Sequence, residues 1–149
     1  MPLVIRPAAA EDQPHILALA RGERVKPLGL HWPRFMVAVQ DGKIIGAAQL
    51  REHPDGSREL GSLVVASPFR GRGIAAQLIE RRLAEASGRV FVITGRIHAD
   101  YYRRWGFRPI KPTKAPFFIR MNYWIGYLGG GLQAIIARRA VNHLGLFER

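Results

Sequence analysis

The run Leu63-Val64-Val65-Ala66-Ser67-Pro68-Phe69-Arg70-Gly71-Arg72-Gly73-Ile74-Ala75 constrains this chain more than any other stretch. A β-branched apolar segment predicts a strand, Ser67-Pro68 a turn, and a glycine-rich loop then opens straight into an amphipathic pattern. Leu78, Ile79, Leu83 and Ala86 fall on one side of that pattern, with Gln77, Glu80, Arg81 and Glu85 on the other. Strand, loop and helix in this order aim the first N–H groups of the helix at one point. Those groups have no partner inside the helix and sit at the positive end of its dipole, which suits a phosphate. Gly71 and Gly73 let the backbone approach an anion with no Cβ in the way, and Arg70 and Arg72 add positive charge. The expectation is a diphosphate cradle.

Two common phosphate loops are excluded. The chain contains no G-x-x-x-x-G-K-[ST], and G-x-G-x-x-G fails because Ala76 stands where the third glycine belongs. What fits is R-x-x-G-x-A, formed by Arg70, Gly73 and Ala75. With its preceding strand and following helix, this resembles motif A of the GNAT superfamily, the acyl-CoA-dependent N-acetyltransferases, whose pattern is Q/R-x-x-G-x-G/A. Downstream, Tyr101-Tyr102-Arg103-Arg104-Trp105-Gly106-Phe107 is similar to the family's F-Y-x-x-x-G-F signature. Asp41-Gly42 between two apolar segments predicts a tight hairpin, another habitual feature of that fold. The resemblance covers residues 3 to 120.

The resemblance implies an α/β fold, with a mixed, largely antiparallel sheet flanked by helices around a β-α-β acyl-CoA-binding core. It implies acetyl-CoA as acyl donor, no metal, and transfer to a primary amine by direct attack in a ternary complex. The backbone of Leu63, Val64 and Val65 is expected to meet the pantetheine arm beside a β-bulge, for which Gly61-Ser62 is the candidate. Arg70, Gly71, Arg72, Gly73, Ile74 and Ala75 would hold the diphosphate, with Arg103 and Arg104 as further cations. Tyr102 takes the signature's tyrosine position and is expected to protonate the departing thiolate. A phenol of reference pKa ~10 against a thiol of ~8.5 makes that transfer somewhat uphill.

Glu59, eleven residues before Arg70, resembles the general base of histone-acetylating members. Its other reading is a strand-end carboxylate facing water and paired with Arg58 or Arg51. His31 and Trp32 lie in the irregular stretch 24–33, the region that lines the acceptor pocket in the family. One position departs from the pattern. Where the family often has N-x-x-A ahead of the tyrosine, this chain has Gly95 and His98, and His98 reads as a helix-start residue or as an extra acid/base group.

At 149 residues the chain is expected to form one compact catalytic domain, 1–121, with a helical extension, 122–149. The expected strands are 3–7, 34–40, 43–50, 59–65, 89–94, 107–110 and 116–121, with helices after Asp12 and Gly71 and over 98–104. In the tail, Trp124 to Ala137 is uncharged and too short to cross a bilayer as a single span. Leu132, Ile135, Ile136, Ala140 and Leu144 would make the apolar face of a helix. That helix either packs on the domain or a second copy in a homodimer, or anchors the chain at a membrane surface. No cysteine is present, and no apolar leader follows the initiator methionine, so the cytoplasm is the expected compartment.

Lys and Arg number 23 against 11 Asp and Glu, a net charge of +12. Such a balance suits anionic partners, and CoA phosphates use only part of it. The alternative to an enzyme is a non-catalytic basic module of the same fold that binds nucleic acid or a membrane surface. Nucleic acid is the weaker partner, because the arginines are dispersed and no nucleic-acid motif appears.

Overall fold

The computed structural model describes residues 2–25, 29–136 and 144–149. The chain divides into two compact units, residues 1–51 with 60–87, and residues 52–59 with 88–149. The first holds β1 (Val4–Pro7), α1 (Gln13–Gly22), β2 (Phe35–Gln40), most of β3 (Lys43–Glu52) and β4 (Arg58–Val65), and α2 (Ile74–Glu85). Its strands lie in the order β1-β2-β3-β4. β1 and β2 are antiparallel, from Val4 opposite Val39 to Pro7 opposite Met36. β2 and β3 form the expected hairpin, with Gln40 opposite Lys43. Asp41 (φ 50°) and Gly42 (φ 71°) both take positive φ, the geometry that matches a two-residue turn to the twist of its strands.

β2 is apolar almost throughout because both of its faces are covered. Phe35 and Val37 pack with Ile16 and Ala20 of α1, and with Ala47 and Val64. Met36 and Ala38 pack with Ile74 and Leu78 of α2, and with Ala48 and Val65. The strand before the glycine loop is therefore fixed from both sides, Val64 toward the α1 cluster and Leu63 and Val65 toward the α2 cluster. At the chain's start, buried Asp12 accepts the Ala9 N–H at 2.8 Å and the Arg6 guanidinium at 2.6 and 3.0 Å.

The second unit holds the 52–59 end of the β3–β4 hairpin, β5 (Val90–Gly95), α3 (Ala99–Arg103), β6 (Arg108–Pro109), α4 (Phe117–Ile136) and β7 (Leu144–Glu148). β7 lies between β5 and β6 and is antiparallel to both, with Phe91 opposite Glu148 and Gly95 opposite Leu144. α4 sets Ile119 and Tyr123 against Phe91 and Leu146, with Ala115 completing the cluster.

The C-terminal third corrects two expectations. Residues 116–121 are not a strand, because 117–121 begin α4. Ile119 and Tyr123 are buried about one helical turn apart, while Phe117 and Met121, which a pleated strand would put on the same face, stand exposed. The closing strand is instead β7, so Leu144 belongs to a strand and not to a helix face. Paired on both sides, that segment satisfies its backbone groups in a ladder. The expected boundary between 121 and 122 falls inside α4, while Ala140 lies outside the described residues. The strands are largely antiparallel with helices against them, and β4, α2 and β5 follow one another in the chain as the β-α-β order requires.

Candidate active site

In the first unit, β4 runs unbroken through the expected bulge site Gly61-Ser62, and the irregularity there is the backbone of Ser62. Ser62 adopts φ 48°, a left-handed conformation that costs a non-glycine residue on the order of 1 kcal/mol. Its hydroxyl meets the buried amide of Gln49. With the amide oriented to satisfy its neighbours, Gln49 Oε1 accepts from Ser62 Oγ at 2.6 Å and from Arg51 at 2.8 and 3.0 Å.

After Val65 the chain turns, the Phe69 N–H donating to Ala66 O at 2.9 Å. Gly71 (φ 76°) and Gly73 (φ 73°) then bring it to the head of α2. Gly73 is the N-cap, and among the described residues no side chain caps the helix. Gln77 donates to Gly73 O at 3.1 Å, so the N–H groups of Ile74, Ala75 and Ala76 precede the first helical bond. A Cβ built on Gly71 or Gly73 would meet nothing within 4 Å. The glycines are required by their φ values, and the space beside them is open. Unpaired donors, a helix amino terminus and open approach fit a diphosphate.

Arg70, which the sequence places among the cations of this loop, also bonds within it. Nε donates to Val65 O at 3.0 Å, and Nη2 pairs with Glu23 Oε2. Glu23, at the end of α1, also accepts the Ser67 N–H at 2.8 Å and the Ser67 hydroxyl at 2.8 Å. These bonds hold the Glu23 carboxyl below its ordinary range, the Ser67 N–H first, the hydroxyl next, and Arg70's charge last. Arg70 thus braces the loop. Arg72 lies over the Phe69 ring, 5.2 Å from its centroid, and donates to Pro68 O at 3.3 Å.

Of the two acceptor-side residues, His31 is exposed, while Trp32 packs on the cluster that contains Val64. Gln13 fixes this segment, accepting the Trp32 N–H at 2.7 Å and donating to Leu30 O at 2.9 Å.

The other candidates lie in the second unit. Glu59 does not face water. It is buried, and its Oε2 lies 3.0 Å from both His53 Nε2 and Asn122 Nδ2. The His53 ring stacks on Phe118 at 5.8 Å, nearly parallel. Arg58 turns its Nε to Glu52 at 3.0 Å. Tyr102 is buried, its ring edge-on to Tyr101, Trp105 and Phe107 at 5.6, 6.2 and 5.8 Å. Burial pushes its phenol up to about 12, with Tyr101 adding to the effect. Gly106 (φ 85°) then turns the chain toward buried Phe107.

Gly95 ends β5, and His98 is the exposed N-cap of α3. Arg103 pairs with Asp100 at 3.2 Å, while Arg104 stacks on Tyr101 and Trp105. Among the described residues no group of three or more His, Cys, Asp and Glu could hold a metal ion. Glu23, Gln49, His53 and Asn122 were not anticipated from the sequence.

A positive-φ glycine turn between strand and helix, set in a mixed α/β fold, is the arrangement of an anion-cradling α/β protein. Residues 31–109, more than half of the chain, match the Acetyltransferase (GNAT) domain, and the chain belongs to that family. No curated protein sequence matches it. Among solved structures it is similar to N-acetylglutamate synthase from Neisseria gonorrhoeae complexed with coenzyme A and N-acetyl-glutamate, at 20% identity and TM-score 0.74. The match takes in 100% of this chain and 35% of the synthase, so the chain spans about a third of that enzyme's length. It is also similar to Rv2747 from Mycobacterium tuberculosis in complex with CoA and NLQ, at 23% identity, TM-score 0.69 and 97% of each chain. Diaminobutyrate acetyltransferase EctA from Paenibacillus lautus, in complex with L-2,4-diaminobutyric acid and coenzyme A, matches at 16% identity and TM-score 0.63, over 99% of this chain and 93% of its own. At these identities the likeness is one of fold.

Proposed function

We propose that this chain transfers an acetyl group from acetyl-CoA to a primary amine by direct attack. The carrying observation is the pair of positive-φ glycines at the uncapped head of α2, inside the segment that matches the family. The co-substrate, when bound, supplies an acyl group activated as a thioester. Backbone N–H groups of residues 71–75 hold its diphosphate, and the Leu63–Val65 backbone orients the arm. Glu59 takes the proton that the amine must lose, while His53 and Asn122 fix the carboxylate.

Tyr102 donates a hydrogen bond to sulfur as negative charge develops there. With its phenol at about 12 against a reference thiol near ~8.5, complete transfer is uphill and is coupled to C–S cleavage. The acceptor reading we favour is a small amine of amino-acid type. It is supported by the fold neighbours, whose ligands are N-acetyl-glutamate and 2,4-diaminobutyrate.

Calorimetry with acetyl-CoA on the wild type and on Gly73→Val, joined to thiol release over a panel of amino acids and lysine peptides, tests the reading. Binding that weakens roughly tenfold or more in the variant, with release on amino-acid amines, is expected. No heat with the wild type overturns the cradle. Binding without release on any amine favours a non-catalytic module.

A further inference from the structure

α4 carries two apolar faces, and among the described residues one packs into a core cluster while the other stands exposed. Ile119 and Tyr123 face the β5–β7 core. On the opposite side Phe117, Met121, Trp124, Ile125 and Leu128 stand exposed, Ile125 at 62% and Leu128 at 68%. At 100° per residue these five positions fall within one arc of about 100°, so they form a single stripe rather than scattered apolar residues. A contiguous stripe of this kind on a folded surface marks an interaction site.

Charge identifies the occupant. From residue 101 to residue 147 the chain has eight Lys and Arg and not one Asp or Glu. A second copy meeting this stripe face to face would set one such cation-rich segment against another, and the Asp55 carboxylate beside the Phe118 N–H at the start of α4 offsets only part of that charge. An anionic bilayer supplies both the apolar phase and the opposite charge. Trp124 and Tyr127 on the exposed side have the amphipathic rings that settle at headgroup depth. Among the described residues no helix is long and apolar enough to cross a membrane. A helix with one apolar stripe that docks on a bilayer lies in the interface plane. We infer that the outward stripe of α4 docks this protein onto the surface of an anionic lipid bilayer, independently of its acetyl-transfer reaction.

Co-sedimentation of the full chain with phosphatidylcholine vesicles, and with vesicles containing phosphatidylglycerol, tests this. The double variant Ile125→Ser/Leu128→Ser changes only exposed side chains, and circular dichroism with acetyl-CoA calorimetry verifies its fold. Wild type is expected to bind anionic vesicles, to bind neutral ones several-fold less, and to lose roughly 10- to 100-fold of its partitioning in the variant. Failure of the wild type to bind anionic vesicles overturns the inference. So does equal binding by the variant, which would leave bare electrostatics as the cause. A wild-type dimer in sedimentation velocity that the variant dissociates, with no vesicle binding, would assign the stripe to a second copy and also overturn it.

Discussion

Asn122 of α4 donates its side-chain amide to the Glu59 carboxylate at 3.0 Å, across 63 residues of chain. The same Oε2 faces His53 Nε2 at 3.0 Å, so a buried carboxylate is oriented from two sides. A group held this way is suited to accept a proton in a fixed direction. Glu59→Gln keeps the shape and removes the basicity. Turnover should fall by about 10²-fold while acetyl-CoA affinity stays at the wild-type level. Wild-type turnover in Glu59→Gln would assign the carboxylate to structure alone. Asn122→Ala, acting only on position, should lower kcat several-fold without moving the KM for acetyl-CoA.

Glu23 ties the end of α1 to the turn that precedes the glycines, through the Ser67 N–H, the Ser67 hydroxyl and Arg70. Without it Arg70 would keep only its bond to Val65 O and Ser67 would lose its acceptor, loosening the turn that leads into residues 71–75. Glu23→Ala is expected to raise the KM for acetyl-CoA about tenfold with kcat changed little, because the lost order is shared by ground and transition states. Glu23→Gln, which still accepts from Ser67, should recover part of the loss. Equal KM values in all three proteins would show that the loop holds its shape unaided.

These two clusters divide what the sequence displays from what it conceals. The proposed cradle is local. Strand, turn, positive-φ glycines and helix occupy one continuous stretch, so their order in the chain is nearly their order in space, and Asp41-Gly42 is legible for the same reason. Glu59 could be singled out by its register, but not its environment, because His53 reaches it across a hairpin end and Asn122 from a distant helix. Glu23 is 44 residues from Ser67 and no local pattern marks it. The misread 116–121 segment shows the limit from the other side. A short apolar run fits a buried strand or a helix equally well, and only the partners of Ala115, Ile119 and Tyr123 decide between them. β7 was missed because its identity as a strand depends on its pairing with β5 and β6.

Tyr102 gives a titration prediction. Its phenol is pushed up from 10.0 to about 12, chiefly by burial. In the wild-type minus Tyr102→Phe difference spectrum at 295 nm, the phenolate should therefore appear with a midpoint near 12. Because the folded value lies above the unfolded one, the associated stability is intact below pH ~10 and is lost as pH rises through about 12. The wild type should lose roughly 2–3 kcal/mol more than Tyr102→Phe across that window. Turnover at neutral pH should fall about 10- to 100-fold in the variant with acetyl-CoA binding preserved. Unchanged turnover would remove Tyr102 from the chemistry and leave it a packed aromatic.

Asp12 makes the opposite pH prediction. Its carboxyl is held below the ordinary range, first by the hydrogen bond from Arg6, with the Ala9 N–H also contributing. A lowered folded value places the stabilisation above pH ~4 and removes it as pH falls through the folded pKa. Asp12→Ala leaves the Ala9 N–H without its acceptor at the entrance to α1 and Arg6 without its bidentate partner. At pH 7 the substitution should cost about 1–2 kcal/mol in urea unfolding. The gap between wild type and variant should narrow as pH falls from 5 toward 2, since protonation of the wild-type carboxylate removes the same charge. A gap of constant size over that range would mean that packing at this corner, and not the ionised carboxylate, stabilises the start of the helix.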